Sequence, residues 1–139
     1  YVANRFPTIR EDHEGWVTTR RKLEEFLLLF KNQGGKVLAG TDTPWPYLVP
    51  GLSLHEELEL MVKAGFTPLE AIQTATRNAA EALNRLDSMG TLETGKRADL
   101  VILEGNPLDD IRNTKKIHLV IKGGKAVWPQ AQGQKPATS

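Results

Sequence analysis

The chain has 139 residues, of which 40% are hydrophobic and 25% are charged, and its formal net charge is +1. This composition is typical of a globular protein with a core, and the charge gives no reason to expect nucleic acid or a membrane surface as a partner. The chain contains no cysteine, which excludes disulfides and thiolate metal ligands and leaves the redox compartment open. No apolar run approaches the roughly 20 residues that span a bilayer. We expect a cytoplasmic location.

The first 16 residues show no apolar periodicity and are predicted to be irregular. The chain begins with Tyr1 rather than Met, and no charged and then apolar leader follows. We therefore expect the natural start to be missing, in a processed product or a piece of a longer protein.

A helix and then a short strand are predicted next. Four apolar residues fall at the i, i+3, i+4 and i+7 spacing of one helix face: Leu23, Phe26, Leu27 and Phe30. The helix is predicted from about residue 17 to residue 32, where two glycines follow. Residues 37–41 are an apolar run typical of a strand covered on both faces, and Asp42 comes directly after it. Such strands lie in parallel sheets, yet residues 1–86 offer no second one, which indicates a slice of a larger βα array.

Two further helices begin with capping-box sequences, in which a Ser or Thr and a Glu three residues later satisfy each other's backbone amides. The two pairs are Ser53 with Glu56 and Thr67 with Glu70. The first of these helices is predicted over residues 54–64, and the second over residues 68–84 with proline at its first position. Glu56, Glu57 and Glu59 are interpreted as a helix cap and a solvated face.

The sequence after residue 86 has β character. A strand is predicted at residues 99–103, and two β-rich runs joined by Gly123-Gly124 predict a hairpin with a two-residue turn. The chain therefore divides into an α/β part over residues 1–86 and a β part over residues 87–129. Residues 130–139 are polar and are predicted to be a flexible tail.

Four motifs occur in order along the chain: G-T-D, L-H-x-E-L, A-T-x-N-A-A and G-x-x-x-x-G-K-x-A-D-L-V. With them, residues 20–128 resemble the C-terminal part of the metal-dependent amidohydrolase superfamily, and most closely its imidazolonepropionase-like and prolidase-like branch. The resemblance implies an α/β fold: the last strand and helices of a (β/α)₈ TIM-like barrel, followed by the C-terminal part of a small β-sandwich. Residues 37–41 resemble the eighth barrel strand.

The resemblance also implies a metal centre, usually zinc, with Asp42 as both a metal ligand and the group that takes a proton from the attacking water. From its spacing alone, Asp42 is more typical of an aspartate in an Asx turn or helix cap before a proline than of a functional carboxylate. The other ligands of the family precede this region, and a complete barrel needs about 250 residues. We therefore expect the isolated chain to be catalytically incomplete.

Three further residues are candidates for the site. Trp45 and Tyr47 lie in the proline-rich loop after Asp42 and could line a substrate pocket, or they could belong to a rigid connector that buries one aromatic ring. His55 lies within the first capping box, and a single histidine cannot form a metal site, so we expect it to support the site from behind the ligands or to serve the fold.

The hypothesis is a hydrolase acting on carbon–nitrogen bonds of small-molecule amides or cyclic amides, of which this chain is the C-terminal part. An alternative from another class is a non-catalytic assembly module completed by a partner chain. Exposed strand edges favour pairing. In either case we expect a homo-oligomer or a pairing with the missing N-terminal part.

Overall fold

The computed structural model describes residues 13–43 and 48–129, which fall into two compact units divided between Val37 and Leu38. Helix α1 spans His13–Asn32 and lies in the first unit. It confirms the predicted helix, but it begins earlier than predicted, because residues 13–16 are helical rather than irregular. The sequence His-Glu-Gly-Trp at these positions shows no apolar period, yet it does not prevent a helix. Residues 1–12 and the predicted tail at residues 130–139 lie outside the described residues.

Helix α1 ends as its sequence predicts. Gly34 adopts a φ of +84°, and the amide of Gly35 donates to the carbonyl of Phe30 at 2.9 Å. A glycine is favoured at such a left-handed position because it has no Cβ. On the predicted apolar face of α1, Leu23, Phe26 and Phe30 are 62%, 63% and 44% exposed among the described residues.

The strand predicted for residues 37–41 is not formed. A strand needs a neighbour that accepts its amides, and the described residues supply no parallel strand beside this run. In the second unit, the amide of Ala39 instead donates to the carbonyl of Thr74 at 3.2 Å. The amide of Gly40 donates to the carboxylate of Glu57 at 2.8 Å. Helices therefore take the place of the missing sheet neighbours.

Three helices follow in the second unit: α2 (Ser53–Lys63), α3 (Pro68–Ala75) and α4 (Arg77–Ala82). The second capping box is confirmed, since the Thr67 hydroxyl accepts from the Glu70 amide at 3.2 Å and the Glu70 carboxylate accepts from the Thr67 amide at 2.8 Å. The prediction of the first capping box, at Ser53 and Glu56, is wrong. Ser53 already lies inside α2, and its hydroxyl donates backwards to the carbonyl of Val49 at 2.6 Å.

The single helix predicted over residues 68–84 is divided at Thr76, whose φ of −125° and ψ of −90° lie outside the helical region. The Thr76 hydroxyl donates to the carbonyl of Ile72, four residues earlier, at 2.8 Å. Such back-bonding by threonine is associated with bends in helices. The apolar period continues through this break, which explains why the sequence alone predicts one helix.

The core of the second unit lies where α2 packs against α3 and against a short 3₁₀ helix, Ile111–Lys115. The buried apolar residues of this unit are Leu58, Met61, Ala64, Phe66, Ala71, Ala80 and Ile111. Thr74 is 1% exposed, and its hydroxyl donates to the carbonyl of Ala71 at 2.6 Å, which satisfies the buried polar group. Of the helices in the described residues, none is both long and apolar enough to cross a membrane.

An antiparallel sheet contains β1 (Leu100–Leu103), β2 (Ile117–Lys122) and β3 (Lys125–Trp128), in that order. The predicted strand and hairpin are therefore confirmed. Gly123 and Gly124 have φ values of +57° and +78°, as a primed two-residue turn requires. The turn is bonded to the residue just before β1, because the Gly123 amide donates to the carboxylate of Asp99 at 2.6 Å.

Candidate functional site

Asp42 lies in a turn of left-handed backbone conformation, with a φ of +53°. Thr41 and Thr43 flank it, and their hydroxyl oxygens lie 2.8 Å apart, so that one donates to the other across Asp42. A positive φ is uncommon outside glycine, although aspartate adopts it more readily than most residues. Asp42 is exposed. The turn therefore presents a carboxylate to water and is closed by its two threonine neighbours.

The backbone just before this turn is tied to two helices. The Ala39 amide donates to the last turn of α3, and the Gly40 amide donates to Glu57 on α2. The second bond is charge-assisted, which makes it stronger than a bond between neutral groups. Asp42 thus lies two residues after Gly40, whose amide is held by the Glu57 carboxylate on α2.

The prediction that the glutamates of α2 form a solvated face is wrong for Glu57 and Glu59. Glu57 is half-buried and accepts from Gly40, while Glu59 has a side chain that is only 17% exposed. Lys115, on the 3₁₀ helix, places its Nζ 2.6 Å from Oε1 of Glu59, close enough for an ion pair although not aligned as a hydrogen bond. Glu56 is exposed, as predicted. These contacts join residues far apart in sequence, which helical periodicity does not reveal.

His55 is half-buried, and its Nδ1 atom is buried without a hydrogen-bond partner in the described part of the chain. Burial lowers the pKa of His55 below its ordinary value of 6.5, and the positive charge of Lys115 lowers it further, while Glu59 opposes the shift. The charges that act on His55 are therefore those of Glu59 on α2 and Lys115 on the 3₁₀ helix. Its supporting role at the site stays a prediction.

The free energy of unfolding is expected to decrease, through His55, as the pH falls from about 7.5 into the range below 6.5. Since its pKa is lowered in the folded chain, the unfolded chain binds the proton more readily. The contribution of the neutral imidazole is present above the unfolded pKa of 6.5 and is lost as the pH falls through the folded pKa. Urea denaturation across this range should give a shallower decrease for His55→Gln than for the wild type. His118, exposed on β2, is the control, and an equal effect of His118→Gln would contradict the assignment.

Trp45 and Tyr47 lie outside the described residues. Their role in substrate binding stays a prediction.

The described residues contain no group of three or more His, Asp or Glu side chains that could hold a metal ion. A zinc centre needs at least three protein ligands with nitrogen, sulfur or carboxylate donors. Asp42 fits one position of such a set, because its carboxylate is exposed and its turn is closed by neighbouring hydroxyls. The described part of this chain can thus contribute one ligand to a metal centre but does not form a centre by itself.

Residues 13–127 match the sequence profile of the Amidohydrolase family, and the chain belongs to this family. Its relatives include imidazolonepropionases and prolidase-like proteins, which places it in that branch. The motif-based assignment is thereby confirmed.

The ochratoxinase of Aspergillus niger is 35% identical over 120 residues, which cover 81% of this chain and 24% of that protein. The imidazolonepropionase of Geobacillus kaustophilus is 46% identical over 86 residues, covering 56% of this chain and 20% of that protein. Among solved structures, a proposed prolidase from Bifidobacterium longum matches with a TM-score of 0.66 and 43% identity, over 70% of this chain and 24% of that chain. The chain thus spans about a quarter of the length of this ochratoxinase and of this prolidase-like structure.

Proposed function

We propose that this chain is the C-terminal part of a metal-dependent hydrolase that cleaves carbon–nitrogen bonds of small-molecule amides or cyclic amides with water. The observation that carries the proposal is the exposed carboxylate of Asp42, which follows the apolar run in a turn closed by Thr41 and Thr43. In the full-length enzyme, residues 37–41 would be the eighth strand of the barrel and Asp42 would lie at its carboxyl end. Catalytic groups of (β/α)₈ barrels gather at that end of the strands.

Asp42 would bind a divalent cation through its carboxylate and accept a proton from the attacking water. A divalent cation, with zinc as the expected one, supplies Lewis acidity that lowers the pKa of water. The hydroxyls of Thr41 and Thr43 meet across Asp42 and close the backbone turn from which its carboxylate extends. Trp45 and Tyr47 would form part of the wall that binds the organic portion of the amide.

Removal of divalent metal from the full-length enzyme is expected to lower amide hydrolysis by at least about 100-fold, because the pKa of water without a metal is too high for attack near neutral pH. Hydrolysis of N-acyl amino acids, proline dipeptides and cyclic amides would be measured before chelation, after chelation and after addition of zinc. The 139-residue chain alone should hydrolyse none of them with or without zinc. Hydrolysis that resists chelation, or activity of the isolated chain, would contradict the proposal.

A specific observation favours the assembly module as a second candidate. Apolar side chains are exposed in both units, on the face of α1 that includes Phe26 and on β1, where Val101 is 51% exposed. Surfaces of this kind are commonly covered by another chain or another part of the same chain. Two measurements distinguish the candidates: sedimentation equilibrium of the isolated chain and a hydrolase assay of the full-length protein. A stable oligomer of the isolated chain, together with no hydrolase activity of the full-length protein, favours the assembly module.

A further inference from the structure

The hydrogen bond between Gly40 and Glu57 links the candidate site to the core of the second unit. Glu57 lies on α2 directly before Leu58, and Leu58 and Met61 are 5% and 6% exposed. Because these two side chains are buried, α2 cannot rotate without disturbing the packing. The Glu57 carboxylate is therefore held by a rigid element, and it accepts from the Gly40 amide at 2.8 Å.

The position of Asp42 follows from this anchor. The amide of Ala39 is hydrogen-bonded to α3, and the amide of Gly40 is hydrogen-bonded to α2. The two amides that precede Thr41 and Asp42 are therefore both held by helices. Only the torsions of Gly40, Thr41 and Asp42 separate the anchored Gly40 amide from the Asp42 carboxylate. A metal ligand or a proton acceptor that moves by about 1 Å loses much of its effect.

We infer that Glu57 is a positioning residue of the site: its carboxylate holds the Gly40 amide and thereby sets where the Asp42 carboxylate lies. The inference rests on the proposed function of Asp42. Glu57 itself touches neither water nor substrate in this role, and it acts through the backbone of Gly40.

The first test is made on the 139-residue chain by amide hydrogen exchange and NMR. Gly40 is exposed, so burial does not protect its amide, and the bond to Glu57 should account for its slow exchange. Glu57→Ala is expected to speed exchange of this amide by about tenfold. Asp42 has a positive φ, which gives a strong intraresidue nuclear Overhauser effect between its amide proton and its Hα. Glu57→Ala should also weaken this effect. Glu57→Gln keeps an acceptor of the same shape and should fall between the wild type and Glu57→Ala.

Glu56→Gln is the matched control, because Glu56 is the exposed neighbour on the same helix and should leave the Gly40 amide unchanged. The amide of the buried residue Ala71 reports whether the core remains folded in each variant. An unchanged exchange rate of Gly40 in both Glu57 variants with a folded core would overturn the inference. If Glu57→Ala does not fold, the same criterion applies to Glu57→Gln, which retains the size of the side chain.

The second test uses the full-length enzyme. A positioning role predicts that Glu57→Ala lowers kcat by about 10- to 100-fold with little change in KM, and that Glu57→Gln recovers part of the loss. A faster Gly40 exchange with an unchanged kcat would overturn the positioning role while leaving the proposed function of Asp42 intact. Retained activity of Asp42→Asn would overturn the proposed function instead, and the positioning role with it.

Discussion

Asp42→Asn is expected to lower kcat of the full-length enzyme by on the order of 10³-fold, with the protein still folded. Asparagine keeps the size of the side chain and one oxygen, but it cannot accept the proton of the attacking water at neutral pH and binds a cation more weakly. It also tolerates the φ of +53° at this position. The loss should therefore appear in kcat and in metal content, with a melting temperature close to that of the wild type.

Asp109→Asn is the control for this substitution. Asp109 is an exposed aspartate on the loop after β1, in a different part of the second unit, and its replacement makes the same change of charge. Steady-state kinetics and metal analysis of both variants separate a local effect from a change in net charge. An Asp42→Asn enzyme that keeps a third or more of its activity would show that another group accepts the proton.

Sequence reasoning succeeded where the controlling interactions are local. The capping box at Thr67 and Glu70 and the Gly123-Gly124 turn are specified by residues within three or four positions of each other, and both are formed as predicted. Ser53 shows the limit of that reasoning. It has the same motif as Thr67, but its amide and hydroxyl both bond to Val49, so the helix begins one residue earlier.

The strand at residues 37–41 depends on a neighbour that the described residues do not provide, and an apolar run alone cannot form it. At the site, the G-T-D motif indicates Asp42, whereas the anchor at Glu57 spans 17 residues and needed the structure. One signal was present in the sequence, since Glu57 is the glutamate of L-H-x-E-L. Its partner, a backbone amide, carries no side-chain signature.

Gly90→Ala is expected to lower the free energy of unfolding by about 3 kcal/mol, because a positive φ and a close contact act together at this position. Gly90 has a φ of +93°, and a Cβ placed there would clash with the Cβ of Ala80 and lie 3.2 Å from the carbonyl oxygen of Thr76. Ala80 is 4% exposed on α4, so neither side can move away without shifting that helix. Urea denaturation followed by far-UV circular dichroism measures the loss.

Gly95→Ala separates the two causes, because Gly95 has a similar φ of +89° but a Cβ added to it would meet no atom within 4 Å among the described residues. It should lose only about 1 kcal/mol, the cost of left-handed backbone for alanine. The difference between the two variants then measures how tightly the G-x-x-x-x-G segment packs on α4. Equal losses would mean that the segment moves freely away from Ala80. A larger loss at Gly90 would show that the first glycine of this motif is required by packing against the alanine-rich helix, and the second by its backbone conformation alone.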